Sequence, residues 1–323
     1  MASRISELRH SIAEDLPPTQ FAGVFPKGHV TILASAPGTG KTWFVIKTAM
    51  DYSIGGNIFM GLASNEPKRK SVIMCGESGL NILTERRAKI ATHYDPDYIS
   101  IYTLQDLADA EVEICLDSHD GPDNLKKIIQ GEEAQICFID SLIAFRSEDE
   151  NVQQTTSRVF QRLITIAKRT DCAIIVTHHT RKRKRGDKGD PTQDDIIGSS
   201  AIIRLASTAF TLSVDEESGL TKLSCVKSWW AKPEPIMYRL ENRQDGTVRF
   251  FRPMLQSTEE QEKAIIQYLM GYDKGDFVRK SVIEDAINVT SEAVDGVFAT
   301  WEHFNWAMTG RDEEGYYGVT ITQ

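Results

Sequence analysis

The stretch "ILASAPGTGKTW", Ile32 to Trp43, decides how the rest of the 323-residue chain is read. A short apolar run breaks into small residues, a proline and two glycines, then resumes at Lys41, Thr42 and a bulky apolar stretch. The spacing Ser35-x-x-x-x-Gly40-Lys41-Thr42 is that of a phosphate-binding loop with Ser at the usual first Gly. Gly38 and Gly40 allow the backbone to curl until successive N–H groups point at one phosphate. The helix expected from Lys41 adds the positive end of its dipole. In such a loop the Lys41 ammonium reaches the β- and γ-phosphates and the Thr42 hydroxyl holds Mg²⁺, so ATP and Mg²⁺ are the expected ligands. Ser35 replaces a tight-turn residue, not a phosphate ligand.

Outward from this loop, strand-like runs recur at Val30 to Ala34, Ser71 to Cys75, Gln135 to Ile139 and Cys172 to Thr177. They are nearly continuous in apolar and β-branched residues, the pattern of parallel strands buried on both faces. Between them, Thr42 to Tyr52, Leu80 to His93 and Val152 to Arg169 have helical apolar spacing. Alternation of this kind predicts a doubly wound α/β domain. After Ser199, "STAFTLSV", "LTKLSCVKSWW", "PIMYRLE" and "TVRFF" are separated by turn residues and predict antiparallel strands that extend the sheet.

"RPMLQSTEEQ" then marks a linker, with Ser257 as a candidate N-cap. The expected division is 1–253, including an N-terminal helical arm over 1–20, and 254–323. In the second unit, Glu259 to Met270, Val278 to Ile287 and Ser291 to Glu302 predict helices, with Ser291 as a capping signal. "NWAMTGRDEEGYYGVTITQ" predicts two strands around a Gly-containing turn. Three helices and a hairpin resemble a winged helix-turn-helix; a dimerisation module has a similar composition.

Composition narrows the classes. The chain is 41% hydrophobic and 26% charged, as in ordinary globular proteins, and its net charge of −9 excludes a general nucleic-acid or anionic-membrane coat. Any DNA contact must be local. The five cysteines form no CxxC pair and sit mostly in apolar runs, as buried thiols of a reducing cytoplasm do. No stretch approaches the ~18 apolar residues of a membrane span, so no membrane partner is expected.

Two carboxylates suit the chemistry of a phosphate loop. Asp140 ends the apolar strand "CFID", about 100 residues beyond Lys41, where it can hold Mg²⁺ with Thr42. Many ATPases place a Glu directly after this Asp, but here Ser141 follows. Glu77 in "MCGESG" lies just past the second strand, at the strand-end edge where ligands of open α/β sheets bind, and is the candidate base.

These segments, "SAPGTGKT", "MCGESG", "CFIDS", "IIVTHHTRKRKRGD" and "GSSAIIRLAS", resemble the RecA-like ATPases, within them the plasmid and phage hexameric helicases related to RepA and DnaB. The resemblance covers Phe21 to Phe251. It implies a RecA-like doubly wound, mainly parallel sheet with antiparallel edge strands, a homo-oligomeric hexameric ring and single-stranded DNA as partner. It implies that Ser35, Ala36, Pro37, Gly38, Thr39, Gly40, Lys41, Thr42 and Trp43 line the ATP phosphates. Glu77 would be the catalytic base, and His178, ending the fourth strand, would sense the γ-phosphate. His179 could fill the same role.

The resemblance also places the loops after the third and fourth strands on the DNA path. Arg181, Lys182, Arg183, Lys184, Arg185 and Lys188 are then candidate backbone contacts, sequence-independent and salt-sensitive. The first loop is acidic and offers only Phe145 and Arg146. Helicases of this branch carry a trans-acting Lys-x-Arg pair on a late strand. Here "LSCVKSWWAKP" puts Lys227 at the Lys and Trp229 at the Arg, leaving Lys227 alone, Lys232 or Arg204 as the cation toward a neighbour. Two functions stay open: a replicative motor with possible replication partners at its C-terminal unit, and an ATP-dependent DNA-binding switch without unwinding. "TSEAVDGVFATWEHF" nearly lacks Lys and Arg, so that unit fits DNA or protein contact.

Overall fold

The computed structural model describes residues 20–21, 24–58, 62–90, 94–147, 153–181, 190–197, 200–215, 219–242, 246–251, 258–287 and 289–322. The expected arm before Gln20, the cap at Ser257 and the run Lys182 to Lys188 lie outside the described residues.

One nine-stranded sheet organises the larger part of the chain. Its strands are β1 (Val30–Ser35), β2 (Ser71–Cys75), β3 (Ile99–Thr103), β4 (Ile136–Asp140), β5 (Ala173–His179), β6 (Thr208–Val214), β7 (Thr221–Ser228), β8 (Ile236–Asn242) and β9 (Val248–Phe251). The spatial order is β9-β8-β7-β6-β1-β5-β4-β2-β3. From β6 to β3 every pairing is parallel, and β7, β8 and β9 add an antiparallel edge. This is the expected mainly parallel α/β arrangement with an antiparallel edge. The strand after Ser199 differs from expectation, because β6 runs parallel to β1, with Phe210 opposite Leu33. Helix α6 (Ser200–Leu205) returns the chain to the start of the sheet, and at six residues it is too short to show a helical period. Strand β3 was not anticipated; its alternating "ISIYT" is an edge strand with one half-exposed face.

Alternation of side chains sorts the core into two layers. Leu33, Ile73, Phe138 and Ile175 point to α1 (Lys41–Ile54) and α2 (Leu80–Lys89). Ile32, Met74, Ile139 and Val176 point to α4 (Gly121–Gly131) and α5 (Gln153–Thr170), with α3 (Leu104–Asp109) at the far edge. Apolar residues on both faces explain why these strands read as continuous runs. Each large side chain so buried contributes roughly 1.5–3 kcal/mol. Among the described residues no helix is long and apolar enough to cross a membrane.

The last part has its own core, in which Ile265, Val294, Phe298 and Val319 are buried together. Helices α7 (Thr258–Leu269), α8 (Lys280–Ile287) and α9 (Ser291–His303) pack with strands β10 (Phe277–Arg279), β11 (Ala307–Arg311) and β12 (Tyr317–Ile321). The sheet order is β10-β12-β11, antiparallel throughout. The cap of α9 is Thr290, whose hydroxyl accepts the Ala293 amide at 3.2 Å, so Ser291 opens the helix instead of capping it.

Candidate functional site

The site grows from the join of β1 and α1. Gly40 caps α1 at φ 102°, a left-handed conformation that suits glycine, and contributes no side-chain hydrogen bond. The first turn carries no acidic residue. Among the described residues, the amides of Gly38, Gly40, Lys41 and Thr42 have no internal acceptor. A helix start left open in this way presents N–H groups and a positive dipole end to an anion.

Lys41 is buried at the base of this loop. Its Nζ donates to Ser35 Oγ at 3.1 Å and to the Ser35 carbonyl at 3.4 Å. Burial lowers its pKa, and the carboxylates of Asp140 and Glu77 oppose that shift. Trp43 turns toward α2, with the Arg86 guanidinium 5.8 Å from its ring centre.

Asp140 ends β4, 1% exposed. Thr42 Oγ1 donates to its Oδ2 at 2.8 Å and Thr177 Oγ1 donates to its Oδ1 at 2.6 Å. A carboxylate and a hydroxyl at contact distance form a hard-oxygen donor pair that suits Mg²⁺, which takes few protein ligands and completes its shell with water and phosphate oxygens. Among the described residues no group of three or more His, Cys, Asp or Glu could hold a metal.

Glu77 reaches the same edge through Gly76. The Gly76 amide donates to the Asp140 carbonyl at 2.7 Å. A Cβ there would lie 2.2 Å from Ala144 Cβ, so only glycine permits this approach. Ser141, which follows Asp140 through a cis peptide bond, donates its hydroxyl to Glu77 Oε1.

The two histidines ending β5 face opposite ways. His179 Nδ1 lies 3.4 Å from Lys41 Nζ, and its Nε2 lies 3.5 Å from Glu77 Oε1. Because an ammonium can only donate, Nδ1 faces Lys41 as an acceptor and Nε2 is left facing the carboxylate. His178, expected beside the phosphate, is 1% exposed on the other face and donates from Nε2 to the Ile197 carbonyl at 2.8 Å. The strand alternation that turns Thr177 and His179 toward Asp140 and Lys41 turns His178 away.

Three further expectations change. The Lys227 Nζ donates to the carbonyls of Ile203, Arg204 and Ala206 at 2.5, 3.0 and 2.6 Å, capping the end of α6. It is therefore engaged within its own chain. Phe145 is 2% exposed, and Arg146 is buried with its Nη2 donating to Thr156 Oγ1 at 3.2 Å, so neither offers itself to DNA. Of the basic run, Arg181 is described: its Nε pairs with Asp195 Oδ1 at 2.9 Å while the side chain stays largely exposed. Lys182, Arg183, Lys184, Arg185 and Lys188 lie outside the described residues. Ser141 and Thr177 went unassigned in the sequence; the available signal was a polar residue at the end of an apolar strand.

A family model described as an AAA domain matches residues 5–185. No curated protein matches the chain. Among solved structures, the chain is similar to a KaiC-like protein from the hyperthermophilic archaeon Pyrococcus horikoshii, at 18% identity and a TM-score of 0.45, covering 69% of this chain and 90% of that one.

Proposed function

The chain belongs to the AAA-domain family, and on that premise we propose that it is a Mg²⁺-dependent ATPase that assembles into a hexameric ring and moves along single-stranded DNA. Its setting would be the replication of a plasmid, phage or other mobile element. The observation that carries the reading is the continuity between site and basic run. His179 touches both Lys41 and Glu77, and Arg181, two residues on, begins the run that ends at Arg185. A change at the γ-phosphate would therefore be passed to the DNA-contacting segment through one strand end.

In this reading Lys41 and the loop amides hold the triphosphate, and Thr42 and Asp140 hold Mg²⁺, which supplies charge neutralisation at the phosphate oxygens. Glu77 takes the proton of the attacking water, held in place by the Ser141 hydroxyl and the His179 ring. His179, rather than His178, stands where the γ-phosphate would be sensed. Across a ring interface Arg204 is the better cation, because it is exposed at the end of α6 while Lys227 holds the backbone beneath it. Lys232 is the alternative. We assign residues 1–253 to the ATPase domain and 254–323 to a winged-helix-like domain, in keeping with the separate core and the helix and strand order of the latter. Free cysteines throughout fit a cytoplasmic setting.

The test is displacement of the shorter strand from a tailed duplex with ATP. The expected result is unwinding, with single-strand affinity that weakens and loses salt dependence when Arg181 to Arg185 are neutralised. ATPase activity without displacement would favour a second reading, an ATP-dependent switch that binds DNA and unwinds nothing. The burial of Phe145 and Arg146 supports that alternative, since it removes the first-loop contacts from the DNA path.

A further inference from the structure

The C-terminal unit differs from the rest of the chain in charge. Residues 254–323 contain five Lys and Arg against thirteen Asp and Glu, a net of −8 out of the chain's −9. Three of its five cations are held by partners within the unit. Arg279 donates to Asp312 at 2.5 Å and Glu314 at 2.8 Å beneath the Tyr316 ring, Lys280 pairs with Asp295 at 2.6 Å, and Arg311 bonds the Gly315 carbonyl at 2.6 Å. Helix α9 contains no Lys or Arg. A surface that reads duplex DNA needs cations free for phosphate, and with thirteen carboxylates against five cations this unit offers few.

The same unit carries an exposed apolar surface. Its three-stranded sheet buries Val278, Ala307, Val319 and Ile321 on one face, and by alternation Phe277, Thr320 and Met308 form a row on the other. Met308 is 63% exposed. At the edge of that row, Phe304 and Trp306, 54% and 43% exposed, stack with ring centres 5.3 Å apart. Gly318 lies under the Phe277 ring, where a Cβ would meet it at 2.7 Å, and Gly310 faces open space, so the floor beside the aromatics is flat. Exposed apolar anchors on a unit of net charge −8 have the make-up of a protein-docking site, an apolar centre with a polar rim.

We propose that the face formed by Phe304, Trp306, Met308 and Phe277 docks a cationic segment of another protein, with apolar side chains seated on the aromatics and Lys or Arg drawn by the unit's excess of carboxylates. Charge complementarity selects this occupant. A second copy would bring a unit of the same −8 charge to the contact, and a nucleic acid would bring phosphates to a unit already negative.

The experiment uses the full chain and a labelled amphipathic peptide of lysine and leucine, read by fluorescence anisotropy, beside a glutamate-for-lysine counterpart. The expected result is saturable binding of the cationic peptide alone, weakened by salt and weakened roughly tenfold or more by Met308→Asp and by Trp306→Ala. Met308→Asp separates docking from general attraction, because attraction by charge alone would tighten with the added carboxylate. Met308 is exposed, so the fold is expected to tolerate the change, and an unaltered circular-dichroism melt checks this. Equal or tighter peptide binding by Met308→Asp would overturn the proposal. So would a mixed-sequence duplex bound by the wild type and lost in Met308→Asp, or an oligomer in sedimentation that the same substitution dissolves.

Discussion

At the ends of the parallel strands the two faces of the sheet diverge. On the α1 face, Ser35, Asp140, Thr177, His179 and Glu77 are each hydrogen-bonded or ion-paired to one another, to Lys41, to Thr42 or to Ser141. On the opposite face, His178 is buried and tied to one backbone carbonyl. A single residue step, about 3.3 Å along a strand, separates them. The contrast teaches that in a strand buried on both sides the parity of a residue, more than its identity, assigns it to chemistry or to scaffold.

The largest expected effect that could break this contrast is at Lys41. Removing its ammonium in Lys41→Ala should abolish ATP binding detectable by calorimetry, since that ammonium lies buried at the base of the β1–α1 turn where the phosphates would sit. A variant that still bound within about threefold of the wild type would place the nucleotide elsewhere.

A sharper division follows at the tandem histidines. His179→Ala should lower turnover roughly a hundredfold while leaving stability nearly unchanged, as loss of an active-site hydrogen-bonding group does. His178→Ala should do the reverse, costing about 1–3 kcal/mol by leaving the Ile197 carbonyl unpaired in the interior, with turnover within a few-fold. Urea unfolding and steady-state hydrolysis on both variants check this, and exchanged phenotypes would reverse the assignment of faces.

The smallest effect is expected at the capping lysine. Lys227→Met keeps the stem and removes three charge-assisted bonds to the end of α6, so stability in urea should fall by about 1 kcal/mol with ATP binding unaltered. A loss of hydrolysis without loss of stability would instead point to action on a neighbouring subunit.

These assignments were unevenly visible in the sequence. The phosphate loop, Asp140 and Glu77 could be read because each is a polar or glycine interruption at the end of an apolar run, and the spacing carries the chemistry. The choice between His178 and His179 could not, because β5 is apolar on both faces and its pattern does not mark which parity meets α1. The intrachain bonds of Lys227 were illegible for a related reason. They depend on α6, a six-residue helix too short to show a helical period. In the C-terminal unit, helix starts and the terminal hairpin were legible from capping and turn residues, whereas the inward pairing of Arg279 and Lys280 arises only once the strands are brought together.

Whether Glu77 acts on water beside a nucleotide held by Lys41 is decided by Glu77→Gln. Binding of MgATP and its single-turnover hydrolysis should be measured on the same preparation. The expectation is an unchanged dissociation constant and hydrolysis slowed by at least a hundredfold, because the amide keeps the hydrogen-bonding shape and loses the base. Hydrolysis at the wild-type rate would contradict it.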